Sequence, residues 1–200
     1  MAKTDKSKSQ DRNKVRVIAG RHRSRQISFD DRPGLRPTGD RIRETLFNWL
    51  QLDIAGARCL DLFAGSGILG IESLSRNASW VDFVEVDRKV CQDIDANLKL
   101  LEISNAKVHC LDALAWLGNS AVKEKYDVLF LDPPFDSSAL NSVLGSLQDC
   151  DCLNANSKIY IECDRGDEEQ VTNSPAIANW KQLKQKRAGD VSFFLYQTPV

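Results

Sequence analysis

Residues 58–70 read RCLDLFAGSGILG, and the run changes character halfway. RCLDLF is an apolar, strand-like stretch, and the residues from Gly67 onward suit a helix. Between them Gly65, Gly67 and Gly70 match G-x-G-x-x-G, a spacing that lets a backbone turn tightly and approach a ligand closely. In open α/β sheets such a turn sits at the carboxyl end of a strand, where nucleotide-type ligands lie. The alternative is a tight strand–helix turn with no ligand.

Working outward, the alternation continues. Strand-like runs fall at 80–86, 107–111, 126–131 and 158–163, and helix-like stretches near 67–76, 88–101, 113–118 and 137–148. Val90, Ile94, Leu98 and Leu101 carry helical spacing. This order predicts an α/β chain of Rossmann-like type, its parallel sheet covered by helices on both faces. Residues 180–187 and 191–197, joined through Ala188-Gly189-Asp190, predict a C-terminal antiparallel hairpin. Upstream, 15–19 and 25–29 predict two short strands. A loop with Pro33, Gly34 and Pro37 follows, then a helix capped by Thr38 or Asp40. Ile42, Leu46, Trp49 and Leu50 give that helix its apolar stripe.

Residues around the glycine loop point to a class of ligand. Phe63, Ala64, Gly65, Ser66 and Gly67 form the loop itself, and Glu85 ends the next strand, where a carboxylate can accept from ribose hydroxyls. Asp61 ends the strand just before the loop. A carboxylate there repels a pyrophosphate but suits the amino group of a cationic ligand, which favours S-adenosylmethionine over NAD. Asp112 and Ala113 follow the third strand of the alternation. Asp112 is either a helix N-cap or an adenine contact, and the two roles are compatible.

Residues 126–135 read YDVLFLDPPF. Asp132 leaves the strand at its carboxyl end, two prolines stiffen the backbone, and Phe135 offers an aromatic face. An exocyclic base amine is a poor nucleophile, because its lone pair is delocalised into the ring. A carboxylate and a rigid carbonyl can accept its two N–H groups and stabilise the charge that grows on nitrogen. Phe135 can stack on the extruded base. A plain strand-ending turn is the alternative reading of Asp-Pro-Pro.

The 200 residues carry 42% hydrophobic and 28% charged residues, in the range of one globular domain. No apolar run is long enough to span a bilayer. Residues 1–14 lack the apolar core of a signal peptide, so the six cysteines read as reduced thiols in the cytoplasm. Cys59, Cys110 and Cys163 fall in apolar strand-like runs and read as small hydrophobes. With no C-x-x-C pair and only His22 and His109, a zinc site is not expected. The net charge of −1 hides an asymmetry: residues 1–44 hold 13 basic and 6 acidic side chains, whereas the remainder holds 14 and 22. Such a split hints at nucleic-acid contact. Residues 1–14 read as a disordered basic tail, and the arginines of 15–43 as phosphate ligands.

Taken together, VRVIAG, LRPT-DR-RETLFNWL, CLDLFAGSG, FVEVDR and FLDPPF closely resemble the RsmD family from about Val15 to the C-terminus. The resemblance implies a class I S-adenosylmethionine-dependent methyltransferase that modifies the N2 amine of a guanine in bacterial 16S rRNA of the small ribosomal subunit or an assembly intermediate. It implies a seven-stranded sheet with a reversed last hairpin. It also implies an RNA-holding extension over 15–50, attached to a catalytic domain over 51–200. Asp61, Gly65, Gly67, Glu85 and Asp112 would serve the cofactor, and Asp132, Pro133 and Phe135 the guanine. Arg16, Arg21, Arg23 and Arg25 would face RNA, and Arg36, Thr38, Arg41 and Arg43 would sit near the active-site mouth or RNA. The chain departs from relatives at Ser24, where they often have glycine, and at Asp136, where some have a basic residue. DNA adenine-N6 methylation and a non-catalytic RNA-binding assembly factor are the rival readings. A monomer is expected.

Overall fold

A computed structural model describes residues 12–30, 38–119, 124–134 and 137–200. Pro33, Gly34, Arg36, Pro37, Phe135 and Asp136 lie outside the described residues, as do residues 1–11. The elements in chain order are β1 (Asn13–Arg16), β2 (Gln26–Phe29), α1 (Asp40–Trp49), β3 (Arg58–Asp61) and α2 (Ile68–Ser75). Then come β4 (Trp80–Glu85), α3 (Arg88–Leu100), β5 (Ala106–Cys110), α4 (Ala113–Leu117) and β6 (Tyr126–Leu131). The last are α5 (Ser137–Asp149), β7 (Leu153–Asp164), α6 (Glu168–Thr172), β8 (Lys181–Ala188) and β9 (Val191–Gln197).

β3 to β9 form one seven-stranded sheet in the order β5-β4-β3-β6-β7-β9-β8. Pairing is parallel from β5 to β7, and β9 runs antiparallel to both its neighbours. This is the Rossmann-like arrangement with a reversed hairpin. Strand side chains alternate between faces, and the alternation divides the core. Cys59, Val128, Phe130, Tyr160, Phe193 and Leu195 lie on one face, under α1, α2, α3 and the β1–β2 hairpin. Leu60, Leu129, Leu131, Ile159, Ile161 and Phe194 lie on the other, under α4 and α5. Burial on both faces explains why β3, β4, β6 and the second half of β7 read as nearly continuous apolar runs. Among the described residues no helix is long and apolar enough to cross a membrane.

The glycines of the loop meet two demands. Gly65 and Gly67 adopt φ of 49° and 76°, the left-handed region, and Gly67 is the N-cap of α2. Gly70 lies inside α2, where an added Cβ would sit 2.2 Å from Cε1 of Phe83 and 2.9 Å from Cγ1 of Val81. Gly70→Ala is therefore expected to lose about 1–3 kcal/mol through overpacking. In urea unfolding the midpoint should fall with an unchanged slope.

The N-terminal hairpin is sutured to the body by side chains. Glu72 accepts from the backbone N–H groups of Ile18 (2.7 Å) and Ala19 (3.0 Å). Asn97 pairs with both backbone groups of Ser28, at 3.1 and 3.0 Å. These bonds explain a shift in boundary. The expected strand over 15–19 is β1 at Asn13–Arg16, because Ile18 and Ala19 turn their N–H groups to Glu72 rather than to a strand partner. Asn13 and Lys14 thus belong to β1 and not to a tail. At the departure Ser24, φ is 68°, the conformation glycine adopts more readily.

Four further expectations are corrected. The N-cap of α1 is Gly39, with no side-chain cap. Thr38 and Asp40 are engaged elsewhere, by Asp132 and Arg43. Cys110 is exposed, whereas Cys59 and Cys163 are buried. Ala188 belongs to β8, so the hairpin turn is Gly189-Asp190 with φ of 62° at Gly189. β7 begins at Leu153, and α6 interrupts the stretch after it.

Candidate active site

The parallel strands end at one cavity of about 730 Å³, within the usual range for a small-molecule site. Asp61, Phe63, Ala64, Gly65 and Ser66 line it from the β3 end, Glu85 from β4, and Asp112 and Ala113 from the start of α4. Asp132 and Pro133 line it from the end of β6. Thr38, just before α1, and Ile42 of α1 close it on one side, and Ala188 to Val191 around the β8–β9 turn on another. Gly67 does not line the cavity; its part is to start α2.

Hydrogen bonds hold the acids in place. Glu85 accepts from the N–H of Gly65 at 3.0 Å and of Asp87 at 2.8 Å, fixing its carboxylate at the strand end. Asp61 accepts from the N–H of Gly70 at 3.0 Å. Asp112 is the N-cap of α4, accepting from Leu114 and Ala115, and it still faces the cavity. Thr38 donates its hydroxyl to Asp132 at 3.2 Å. Thr38 is buried, so it reaches the strand-end acid rather than an external partner.

Glu162 was not among the candidates read from the sequence. It lines the cavity, is buried, and accepts from the Tyr160 hydroxyl at 2.5 Å. Strand register could have found it. Asp61 pairs in register with Phe130 of β6, and Leu131 of β6 pairs with Ile161 of β7. One residue further along, Asp132 and Glu162 therefore stand side by side. With period-2 alternation, Asp61, Asp132 and Glu162 all fall on the α1 face. Three acids thus meet across three adjacent strands. Burial, with Glu85 nearby, pushes the Asp61 carboxyl up to about 7 against the Gly70 N–H. Burial and the Asp61 charge push Asp132 up to about 7, opposed by the Thr38 hydroxyl. Burial and Asp132 push Glu162 up to about 8, opposed by the Tyr160 hydroxyl. Such a floor favours a cation over an anion.

The arginines divide. Arg43 is fully buried, so its assignment to RNA is wrong. It donates to the Thr38 carbonyl (3.1 Å), the Arg16 carbonyl (3.0 Å) and Asp40 (2.6 Å), and pairs with buried Glu72 at 3.5 Å. Arg16 is exposed but pairs with Asp40 at 3.7 Å. Arg25 is exposed and reaches the Leu100 carbonyl at 3.2 Å. Arg21, Arg23 and Arg41 are exposed. Arg21 and His22 are held by Ser75, at the end of α2 away from the glycine loop. Eight helical residues at 1.5 Å rise put about 12 Å between that turn and the cavity. Among the described residues no group of three or more His, Cys, Asp or Glu side chains could hold a metal ion.

A glycine-loop cavity at the carboxyl ends of a sheet in this strand order defines a class I methyltransferase fold. The family described as Conserved hypothetical protein 95 matches residues 15–197. The chain belongs to this family, the RsmD family. It is 42% identical over 185 residues to the ribosomal RNA small subunit methyltransferase D of Escherichia coli K12, covering 92% of this chain and 89% of that protein. The protein of the same name from Haemophilus influenzae is 40% identical, with 93% and 95% covered. The solved structure of Escherichia coli yhhF superposes with a TM-score of 0.82 at 38% identity, covering 94% of this chain and 99% of that one.

Proposed function

We propose that this protein transfers a methyl group from S-adenosylmethionine to the N2 amine of a guanine in 16S rRNA of the small ribosomal subunit, acting as a monomer in the cytoplasm. The observation that carries the reading is Asp132, seated at the end of β6 in the cavity that the glycine loop opens, with its carboxylate held by Thr38. The names of the relatives supply the class of substrate.

The residues fit the cofactor. Asp61 is buried beside the loop and suits an ammonium group, Glu85 is fixed where ribose hydroxyls would lie, and Asp112 and Ala113 flank the adenine side. When bound, S-adenosylmethionine supplies a methyl carbon made electrophilic by its sulfonium. The protein's own work is on the amine. The Asp132 carboxylate and the Pro133 carbonyl accept its two N–H groups, orient its lone pair toward the methyl carbon and stabilise the charge that develops on nitrogen. Loss of that methyl group would leave neutral S-adenosylhomocysteine, the sulfonium becoming a thioether. The excess proton on nitrogen passes to Asp132, whose pKa near 7 suits a proton acceptor at neutral pH. Phe135 is assigned the stacking role on the extruded base.

The test is methyl transfer in vitro, with labelled S-adenosylmethionine offered small subunits, naked 16S rRNA and duplex DNA, followed by mass spectrometry of nucleosides. N2-methylguanosine in the rRNA is expected. Label only in DNA, or on another atom of the RNA base, would overturn the reading.

A further inference from the structure

The arginine-rich segment loses much of its free charge in the fold. Arg43 is buried, Arg16 pairs with Asp40, and Arg12 pairs with Asp30 and Asp93. The turn bearing Arg21 and Arg23 sits one helix length from the cavity. Open positive charge lies elsewhere. The edge strand β8 reads KQLKQKRA and contains no acidic residue. Lys181, Lys184, Lys186 and Arg187 are all exposed. Arg187 is neutralised by Glu168. No ion pair among the described residues involves Lys181, Lys184 or Lys186, whereas Lys158 of β7 pairs with Asp53 at 3.1 Å.

The three lysines share one face, and the reason is an irregularity. Lys181 pairs in register with Gln197, Lys184 with Leu195 and Lys186 with Phe193. Partners across an antiparallel ladder point to the same side, and residues 193, 195 and 197 point to the α1 face. A simple strand would put Lys181 and Lys184 on opposite faces. The register shift between Gln182 and Lys184 brings them into phase, as a bulge re-aims side chains. Trp49 of α1 packs against Phe193 with ring centroids 5.3 Å apart, so α1 borders this row. The strand then runs into Ala188 and Gly189, on the lip of the cavity. Lys186 lies five positions beyond Lys181, about 17 Å at strand rise.

We propose that Lys181, Lys184 and Lys186 form a phosphate-binding row on β8 that guides the RNA substrate along the α1 face to the cavity mouth. This deepens, and rests on, the rRNA reading above. Lysines on an edge strand also deter strand-to-strand aggregation, but that task needs neither a common face nor a bulge to create one.

The test measures binding of 16S rRNA and of small subunits against salt concentration for three full-length proteins. These are wild type, Lys181→Gln/Lys184→Gln/Lys186→Gln, and the same three positions changed to Glu. Each single-stranded phosphate contact contributes a slope of about −0.7, so the Gln variant should lose about 2 units of slope and bind about 100-fold weaker at 0.1 M salt. The Glu variant should bind more weakly still. S-adenosylhomocysteine affinity, read by calorimetry, should match wild type in both and confirms an intact fold. Equal RNA affinity and slope in all three proteins would overturn the lysine row while leaving the rRNA reading in place. Self-association of the Gln variant, with wild-type RNA binding restored by Glu, would assign the lysines to edge protection and also overturn it. A wild-type protein that holds neither RNA nor small subunits would overturn the function proposed above and the row with it.

Discussion

Asp132→Asn should slow methyl transfer about 10²–10³-fold, the usual loss when one preorganised electrostatic group is removed from a reaction centre. Asn has nearly the same volume and keeps an oxygen that can accept from Thr38. What it loses is the negative charge and the capacity to take a proton. S-adenosylhomocysteine affinity, measured by calorimetry, should change little, because Glu85 and the glycine loop are untouched. The pH dependence follows from the raised pKa. Only ionised Asp132 can accept the amine proton, so the wild-type rate should climb with pH up to about 7 and then level off. Stability of the ligand-free protein runs the other way. A folded pKa of about 7 against an ordinary 3.8 means the native state binds more protons in that interval. Its contribution to stability is therefore lost as pH rises from about 4 to about 7. Asp132→Asn removes that loss and should be more stable than wild type at pH 8. A variant slower in transfer yet harder to unfold marks a functional carboxylate; an unchanged rate would refute its role.

The fold and much of the cavity are legible in the sequence because they rest on local demands. Gly65 and Gly67 need left-handed backbone, Gly70 needs the space taken by Phe83, and all three needs lie within six residues. Asp61 and Glu85 end strands, and Asp112 and Asp132 come just after strands, so their place at the carboxyl ends comes with the alternation. Residues whose roles depend on distant partners are less legible. Arg43 counts as one more positive charge in a basic segment. Yet with Leu46, Phe47 and Leu50 it lies at i, i+3, i+4 and i+7, on the apolar side of α1. That position signals burial, but nothing local names Glu72, 29 residues away and itself inside the apolar run ILGIESLS. Glu162 needs the β6–β7 register, and the lysine row needs a bulge. Periodicity encodes neither. The charge asymmetry of the sequence is thus partly internal: Arg12, Arg16 and Arg43 of the N-terminal excess pair with acids of the protein itself.

Glu72→Ala should cost about 3–5 kcal/mol of unfolding free energy, the range for removing one partner of a buried ion pair. Glu72 is fully buried and serves four groups: Arg43 at 3.5 Å, Arg76 at 2.9 Å, and the N–H groups of Ile18 and Ala19. Without it Arg43 keeps only Asp40 as a counter-charge, and Asp40 is half exposed. Two backbone donors of the N-terminal hairpin also lose their acceptor. The damage should reach the cavity, because Arg43 holds the Thr38 carbonyl and Thr38 holds Asp132. Urea unfolding should show the stability loss, and transfer rate under folding conditions should fall with it. Glu72→Gln keeps an acceptor for one backbone N–H and should lose less. Replacing the pair together, Glu72→Leu with Arg43→Met, removes the stranded Arg43 charge and should be less destabilising than Glu72→Ala, since apolar side chains of similar volume can replace a buried pair at little cost. It should still fall short of wild type, because the N–H groups of Ile18 and Ala19, the carbonyls of Arg16 and Thr38, and Arg76 each lose a partner. A loss below about 1 kcal/mol for Glu72→Ala, the range of exposed pairs, would show that this network does not anchor the hairpin.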